Sequence, residues 1–176
     1  MIRFQTATIE DAPKLSDLVN SAYRGDSSKQ GWTTEADLLD GQRTDPQSLI
    51  TDIETPNYQF ELAFEGRSSN LMGSIQLIKE LPDTLYFGML TVDPKLQGQG
   101  FGKILLAHAE SVAKAYGFKK LRCVVIPSRT ELVEFYKRRG FKETGNFEDF
   151  PVGEEFGIPK VEGLKLMELI KILSED

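Results

Sequence analysis

Only one cysteine, one histidine and one tryptophan occur in the 176 residues. Cys123 therefore has no partner for an internal disulfide, which fits a reducing, cytoplasmic setting. A zinc site would have to lean on carboxylates, so no metal is expected. Long apolar runs are missing too. The longest, residues 104–107 and 123–126, are four residues each, against the about 20 that a membrane-spanning helix needs. Residues 1–11 have no apolar centre of the secretory-signal kind. A basic excess is also absent: 21 Lys and Arg face 27 Asp and Glu, for a net charge of −6. That balance argues against a nucleic-acid partner, which normally leaves a basic footprint. The length suits one domain over residues 1–176, since domains run to roughly 100–200 residues.

What is present is an alternation of periods. Residues 2–7 read as a strand. A helix follows, with Ala12, Leu15, Leu18, Val19, Ala22 and Tyr23 at helical spacing. Thr8 and Asp11 have the spacing of a capping box, and Pro13 belongs in the first turn. Residues 24–57 are polar and turn-rich, with short helices expected over 34–40 and 46–54. Strands are predicted over 58–65, 71–80 and 84–92, separated by turn residues 66–70 and by Pro82-Asp83. Gly88 inside the last of these suggests a bulge, and Asp93-Pro94 ends it.

From Phe101 the period is helical: Phe101, Ile104, Leu105, His108, Ala109, Val112, Ala113 and Tyr116 form a stripe that Gly117 stops. Residues 121–126 read as a buried strand. Ser128-Arg129-Thr130-Glu131 has capping-box form and opens a helix with Leu132, Phe135, Tyr136 and Arg139 on one face. Strands at 141–146 and 164–173 close the chain.

The informative segment joins a strand to a helix: Gln97-Gly98-Gln99-Gly100-Phe101-Gly102-Lys103. Glycines let a ligand approach the backbone, and unpaired N–H groups at a helix start favour an anion. Two common phosphate loops do not fit. A Walker A loop needs glycine at 97 and Ser or Thr at 104, where Gln97 and Ile104 stand. A dinucleotide fingerprint starting at Gly98 needs glycine at 103, where Lys103 stands.

Gln97-x-x-Gly100-x-Gly102, after a strand ending Leu90-Thr91-Val92-Asp93-Pro94, resembles the acyl-CoA pyrophosphate loop of the GNAT superfamily of N-acyltransferases. Residues 129–141, RTELVEFYKRRGF, are similar to that family's later helix. The resemblance is specific over about residues 84–145. It implies an α/β (α+β) fold with a mixed, mostly antiparallel central sheet and helices on both faces. It implies that the strand carrying Leu90 and Val92 splays from the one carrying Cys123, and that the pantetheine arm of acetyl-CoA pairs in the gap. On this resemblance Leu90, Thr91 and Val92 contact the arm, and Gln97, Gly98, Gln99, Gly100, Phe101, Gly102 and Lys103 hold the pyrophosphate. Arg129 stands where many members carry an asparagine that contacts pantetheine; a guanidinium there is expected to reach a CoA phosphate instead.

The implied reaction is direct transfer of an acetyl group to a primary amine, with no enzyme nucleophile. Cys123 lies within an apolar strand and reads as structural, and His108 reads as a packed histidine. By pattern alone Tyr136 is a core tyrosine; the resemblance makes it the catalytic proton donor to the departing sulfur. The base is open among Glu35, Asp37, Glu80, Asp149 and a water chain. Lys137, Arg138 and Arg139 read as a solvated helix end that can also attract the adenosine 3′-phosphate.

The acceptor is a small-molecule or peptide amine, expected to meet residues 24–43. There Trp32 and Glu35 are the candidate substrate contacts, an aromatic face and a carboxylate for an ammonium. The other reading packs Trp32 over the core and leaves Glu35 as a helix cap, with the acceptor site moved toward residues 147–159. A homodimer is compatible with the resemblance. The alternative to an enzyme is a non-catalytic acyl-CoA-binding module on the same fold.

Overall fold

Alternating apolar periods become alternating strands and helices in the computed structural model, which describes residues 1–151 and 157–174. In chain order the elements are β1 (Ile2–Thr6), α1 (Ala12–Tyr23), α2 (Gly25–Ser28), β2 (Leu39–Asp40), α3 (Pro46–Glu54), β3 (Tyr58–Glu65), β4 (Leu71–Glu80), β5 (Thr84–Val92), α4 (Phe101–Ala115), β6 (Lys120–Val125), α5 (Thr130–Lys137), β7 (Lys142–Asp149), β8 (Ile158–Pro159) and β9 (Lys165–Ile172). Seven strands form one sheet in the order β1-β3-β4-β5-β6-β9-β7. Every neighbouring pair is antiparallel except β5 and β6, which run parallel. The short β2 and β8 pair separately.

The helices take opposite faces. On one, Leu105, Leu106, Ala109 and Ala113 of α4 and Val133 and Tyr136 of α5 pack on Ile75, Leu77, Phe87 and Leu121. On the other, Ala12, Leu15 and Val19 of α1 and Leu49 of α3 pack on Phe60, Leu62 and Phe64. Each fully buried large apolar side chain contributes about 1.5–3 kcal/mol. The buried stripe of α4 is narrower than its sequence suggests, because Ile104 and Tyr116 face solvent. His108 sits at the margin of that stripe, stacked on Phe4 and 2.8 Å from Glu61 Oε2.

Local signals set the helix starts. Thr8 N–H donates to Asp11 Oδ2 (2.9 Å), and a 3-10 turn over Ile9–Asp11 leads into α1. Asp45 accepts from Ser48 N–H (2.8 Å) at the start of α3, with Pro46 in its first turn. Two expectations fail for tertiary reasons. No helix forms over 34–40: one turn closes on the Glu35 carbonyl, which accepts from Leu38 and Leu39 N–H, and the chain then becomes β2. The box at 128–131 does not close either. Arg129 is the N-cap of α5, and Glu131 instead accepts from Thr33 Oγ1 at 2.8 Å.

The feature that positions the site is an opening in the middle of the sheet. β5 and β6 pair only where residues 84–86 face residues 120–122. Beyond that, β5 shifts register against β4 between Ser74 and Gln76, leaving Met89 with φ 44°. β6 stays paired with β9 as far as Val125. A bulge adds local twist, so the end of β5 diverges from β6.

Candidate active site

Two cavities flank this opening. One, of about 300 Å³, lies against the glycine loop and is lined by Val92, Gln97, Gly98, Gly100, Gly102, Lys103, Trp32, Phe135, Arg138 and Arg139. The other, of about 370 Å³, lies on the opposite side and is lined by Glu35, Arg43, Asp52, Tyr58, Gln76, Tyr86, Cys123 and Glu148 among others. Tyr23, Leu90, Arg129, Leu132 and Tyr136 belong to both, so these five residues form the wall between two lobes.

Gly98 and Gly100 have φ of 79° and 90°, and a side chain added at either would meet nothing within 4 Å. The left-handed conformation disfavours other residues, and the open space leaves the backbone approachable. Gly100 is the N-cap of α4, whose first N–H groups therefore face the loop. Gly102 is different. It lies within the helix, and a Cβ there would stand 3.4 Å from the Phe135 ring. Gln97 braces the loop: its Nε2 donates to the Val92 carbonyl (3.2 Å) and its Oε1 accepts from Thr33 N–H (3.2 Å). Of the loop residues expected at the pyrophosphate, the Gln99 and Phe101 side chains do not line the cavity. Gln99 Nε2 donates back to the Lys95 carbonyl, and Phe101 packs against the core.

Lys103, Arg138 and Arg139 bring positive charge to the mouth of this lobe and to an adjoining open cavity of about 470 Å³. Arg139 lies over the Phe135 ring at 3.8 Å. Lys137 turns away and pairs with Glu143 at 3.0 Å.

The wall is held by buried polar groups. Tyr23 Oη donates to the Leu90 carbonyl at 2.9 Å. Arg129 donates from Nη1 to Glu35 Oε1 (2.8 Å) and from Nη2 to Thr33 Oγ1 (2.8 Å), while its Nε has no hydrogen-bond partner among the described residues. Glu35 also pairs with Arg24. Arg129 thus lines the glycine-loop lobe with its charge paired to Glu35. Glu35 lies between two guanidiniums, so its charge is already matched. Trp32, 46% exposed, lines the glycine-loop lobe and tilts against Phe135 at 5.9 Å; it does not share a lobe with Glu35.

Tyr136 is 5% exposed and lines both lobes. Burial holds its phenol well above the ordinary tyrosine range, so it stays protonated. Burial likewise pushes Tyr86 up to about 12 and raises the Cys123 thiol, which leaves Cys123 unsuited to nucleophilic work. Among the other expected bases, Asp37 pairs with Lys29, Glu80 with Arg122 and Asp149 with Lys165. Sequence reasoning missed Asp52, whose carboxyl is raised by burial and accepts from Gln76 Nε2 at 3.3 Å. It also missed Arg43 and Tyr23. All three sit in segments where no local pattern marks a cavity residue. The stretch 147–159 is only partly described: Phe150 and Pro151 reach the second lobe, and residues 152–156 lie outside the described residues.

A splayed strand pair, a glycine cradle at a helix start and a buried tyrosine on the dividing wall agree with what a comparison of whole chains finds. The model of the acetyltransferase (GNAT) domain matches residues 25–150. The chain belongs to the GNAT acetyltransferase family. The peptidyl-lysine N-acetyltransferase YjaB of Salmonella typhimurium is 35% identical over 119 residues, covering 68% of this chain and 74% of that protein. The ribosomal-protein-S18-alanine N-acetyltransferase of Escherichia coli superposes with a TM-score of 0.70 at 15% identity, covering 100% of this chain and 96% of that one. A GNAT family acetyltransferase from Elizabethkingia anophelis, solved with acetyl-CoA bound, gives a TM-score of 0.63 at 21% identity and 98% coverage of both chains. This GNAT protein is an acetyl-CoA-dependent N-acetyltransferase. Among the described residues no helix is long and apolar enough to cross a membrane, and no group of three or more His, Cys, Asp or Glu is placed to hold a metal.

Proposed function

We propose that the protein moves the acetyl group of acetyl-CoA directly to the primary amine of an acceptor, with both bound at once in the two lobes. The observation that carries this reading is the shared wall. Tyr136 is buried and lines both lobes, with its phenol held protonated.

The residues around the first lobe suit the donor. Gly98 and Gly100 leave room for a pyrophosphate against backbone N–H groups. Lys103, Arg138 and Arg139 supply positive charge for phosphates. Leu90, Thr91 and Val92 offer a diverging strand edge to an extended arm. Acetyl-CoA supplies a carbonyl activated by a thiol leaving group.

The acceptor arrives as an ammonium and must lose one proton before it attacks. A carbon–nitrogen bond then forms, the carbon–sulfur bond breaks, and the nitrogen's second proton accounts for the thiol product. Tyr136, protonated at neutral pH, donates a hydrogen bond or proton at the sulfur and is restored from the nitrogen side.

The test is release of free thiol from acetyl-CoA across amino acids, polyamines, aminoglycosides and lysine peptides. Amine-dependent release supports the reading. Tight acetyl-CoA binding without release from any amine makes the protein a binding module instead.

A further inference from the structure

We propose that the second lobe takes an amino carboxylic acid, a small molecule with a free carboxylate beside its amine, held between Arg43 and Asp52. This rests on the acetyl-transfer reading above and specifies its acceptor.

The argument is a charge inventory of that lobe. Glu35 is matched by Arg24 and Arg129, at 2.8 Å from the latter. Glu148 is half-exposed at the solvent side and shares Arg122 with Glu80 and Glu168. Among the described residues two partly buried charged groups remain without an ion pair. The guanidinium of Arg43 has no hydrogen-bond or ion-pair partner among the described residues and stands over the Tyr23 ring at 5.7 Å. Among the described residues the Asp52 carboxylate has only the Gln76 amide, at 3.3 Å. Opposite charges in a half-buried space attract strongly, and Arg43 does lower the proton affinity of Asp52. Even so, the two do not form an ion pair.

The backbone is fixed at both positions. Asn20 Oδ1 accepts from the N–H groups of Arg43 (2.7 Å) and Thr44 (3.1 Å), and Asn20 Nδ2 donates to the Thr44 carbonyl (2.9 Å). Asp52 is fixed on α3. The lobe therefore holds one cation and one anion that, among the described residues, form no ion pair. A zwitterion satisfies both: its carboxylate meets Arg43 in a charge-assisted pair, and its ammonium meets Asp52. The burial that raises the Asp52 carboxyl also makes it a better acceptor for the ammonium's first proton. A simple amine, or a lysine side chain in a peptide, leaves Arg43 unmatched and repelled by the incoming ammonium. The volume of about 370 Å³ suits a small molecule. The lining by Tyr58, Ile78 and Tyr86 suits an apolar side chain on it.

The test is steady-state thiol release with acetyl-CoA and matched acceptors: leucine, phenylalanine and methionine, the amide of each, the corresponding decarboxylated amines, and a lysine peptide. The free acids should be preferred in kcat/KM. Arg43→Gln should lower kcat/KM for the free acids by about 10- to 100-fold, as expected for a charged hydrogen bond. It should act mainly through KM, leave the acetyl-CoA KM nearly unchanged, and raise kcat/KM for the amides by removing the repulsion of their ammonium. Asp52→Asn should lower kcat for all amines. Equal use of amides or the lysine peptide, or an Arg43→Gln effect that falls equally on acids and amides, overturns the acceptor assignment and leaves acetyl transfer standing. No thiol release from any acceptor overturns both.

Discussion

The hydroxyl of Tyr23, at the last residue of α1, donates to the carbonyl of Leu90 on the diverging end of β5, 2.9 Å away. One hydrogen bond thus ties a helix end to the bulge that opens the sheet. Burial holds the Tyr23 phenol protonated, so the donor persists into alkaline solution. Tyr23→Phe keeps the ring and deletes this bond. It should cost about 1 kcal/mol in denaturant unfolding and raise the acetyl-CoA KM, because Leu90 belongs to the wall between the lobes. Unchanged stability and unchanged KM would make the contact incidental.

Gly100→Val should weaken acetyl-CoA binding while preserving the far-ultraviolet circular dichroism. It forces a β-branched residue into φ 90° and puts a side chain into the space beside the loop. Gly102→Val should also weaken binding, but by pressing on the Phe135 ring. Calorimetric affinities of the folded variants check both. Wild-type values would remove the donor site from this loop.

Tyr136→Phe should lower kcat by about 10²- to 10⁴-fold, the usual range for a general acid, with little change in acetyl-CoA affinity. Packing against Phe87 and Phe141 survives because the ring remains. A wild-type kcat across the accessible pH range would leave Tyr136 a purely structural residue.

Glu35→Ala should destabilise the protein by about 3–5 kcal/mol, since it removes the carboxylate that pairs with the buried Arg129. Asp37→Ala, which breaks the exposed contact with Lys29, should cost less than about 1 kcal/mol. Equal effects in urea titrations would contradict the burial argument.

Acid stability should report on Glu61. Burial raises its carboxyl, but bonds with His108, Thr6 and Gln59 outweigh that and leave it below the ordinary range. Its folded pKa is therefore below the unfolded value of about 4.3. Its contribution is complete above that value and is lost as pH falls through the folded one. Glu61→Gln should flatten the fall in stability below about pH 4.3. An unaltered slope would assign acid sensitivity elsewhere.

The sheet was largely legible before any coordinates. The strands over 58–65, 71–80 and 84–92 appear where apolar runs and turn residues place them, because short-range pattern and burial agree there. The opening was legible only through the glycine loop and the tyrosine helix that resemble a known family. Illegible were interactions between distant residues. Glu35 read as a substrate contact or a helix cap, and its partner Arg129 is 94 positions away. Glu131 looked like half of a capping box, but Thr33, 98 positions away, takes it. Arg43 and Asp52 carry no local signature, because only the fold brings a loop and a helix face to one lobe.

The divergence of β5 from β6 gives this sheet a raw edge in its interior instead of only at its rims. Rim strands invite other chains to add on, the route by which many β proteins aggregate. The interior edge is recessed between lobes, with Val92 8% and Thr91 1% exposed. That burial limits pairing with a whole strand of another molecule. On the acetyl-transfer reading, the same edge is what the slender arm of the donor would meet end-on.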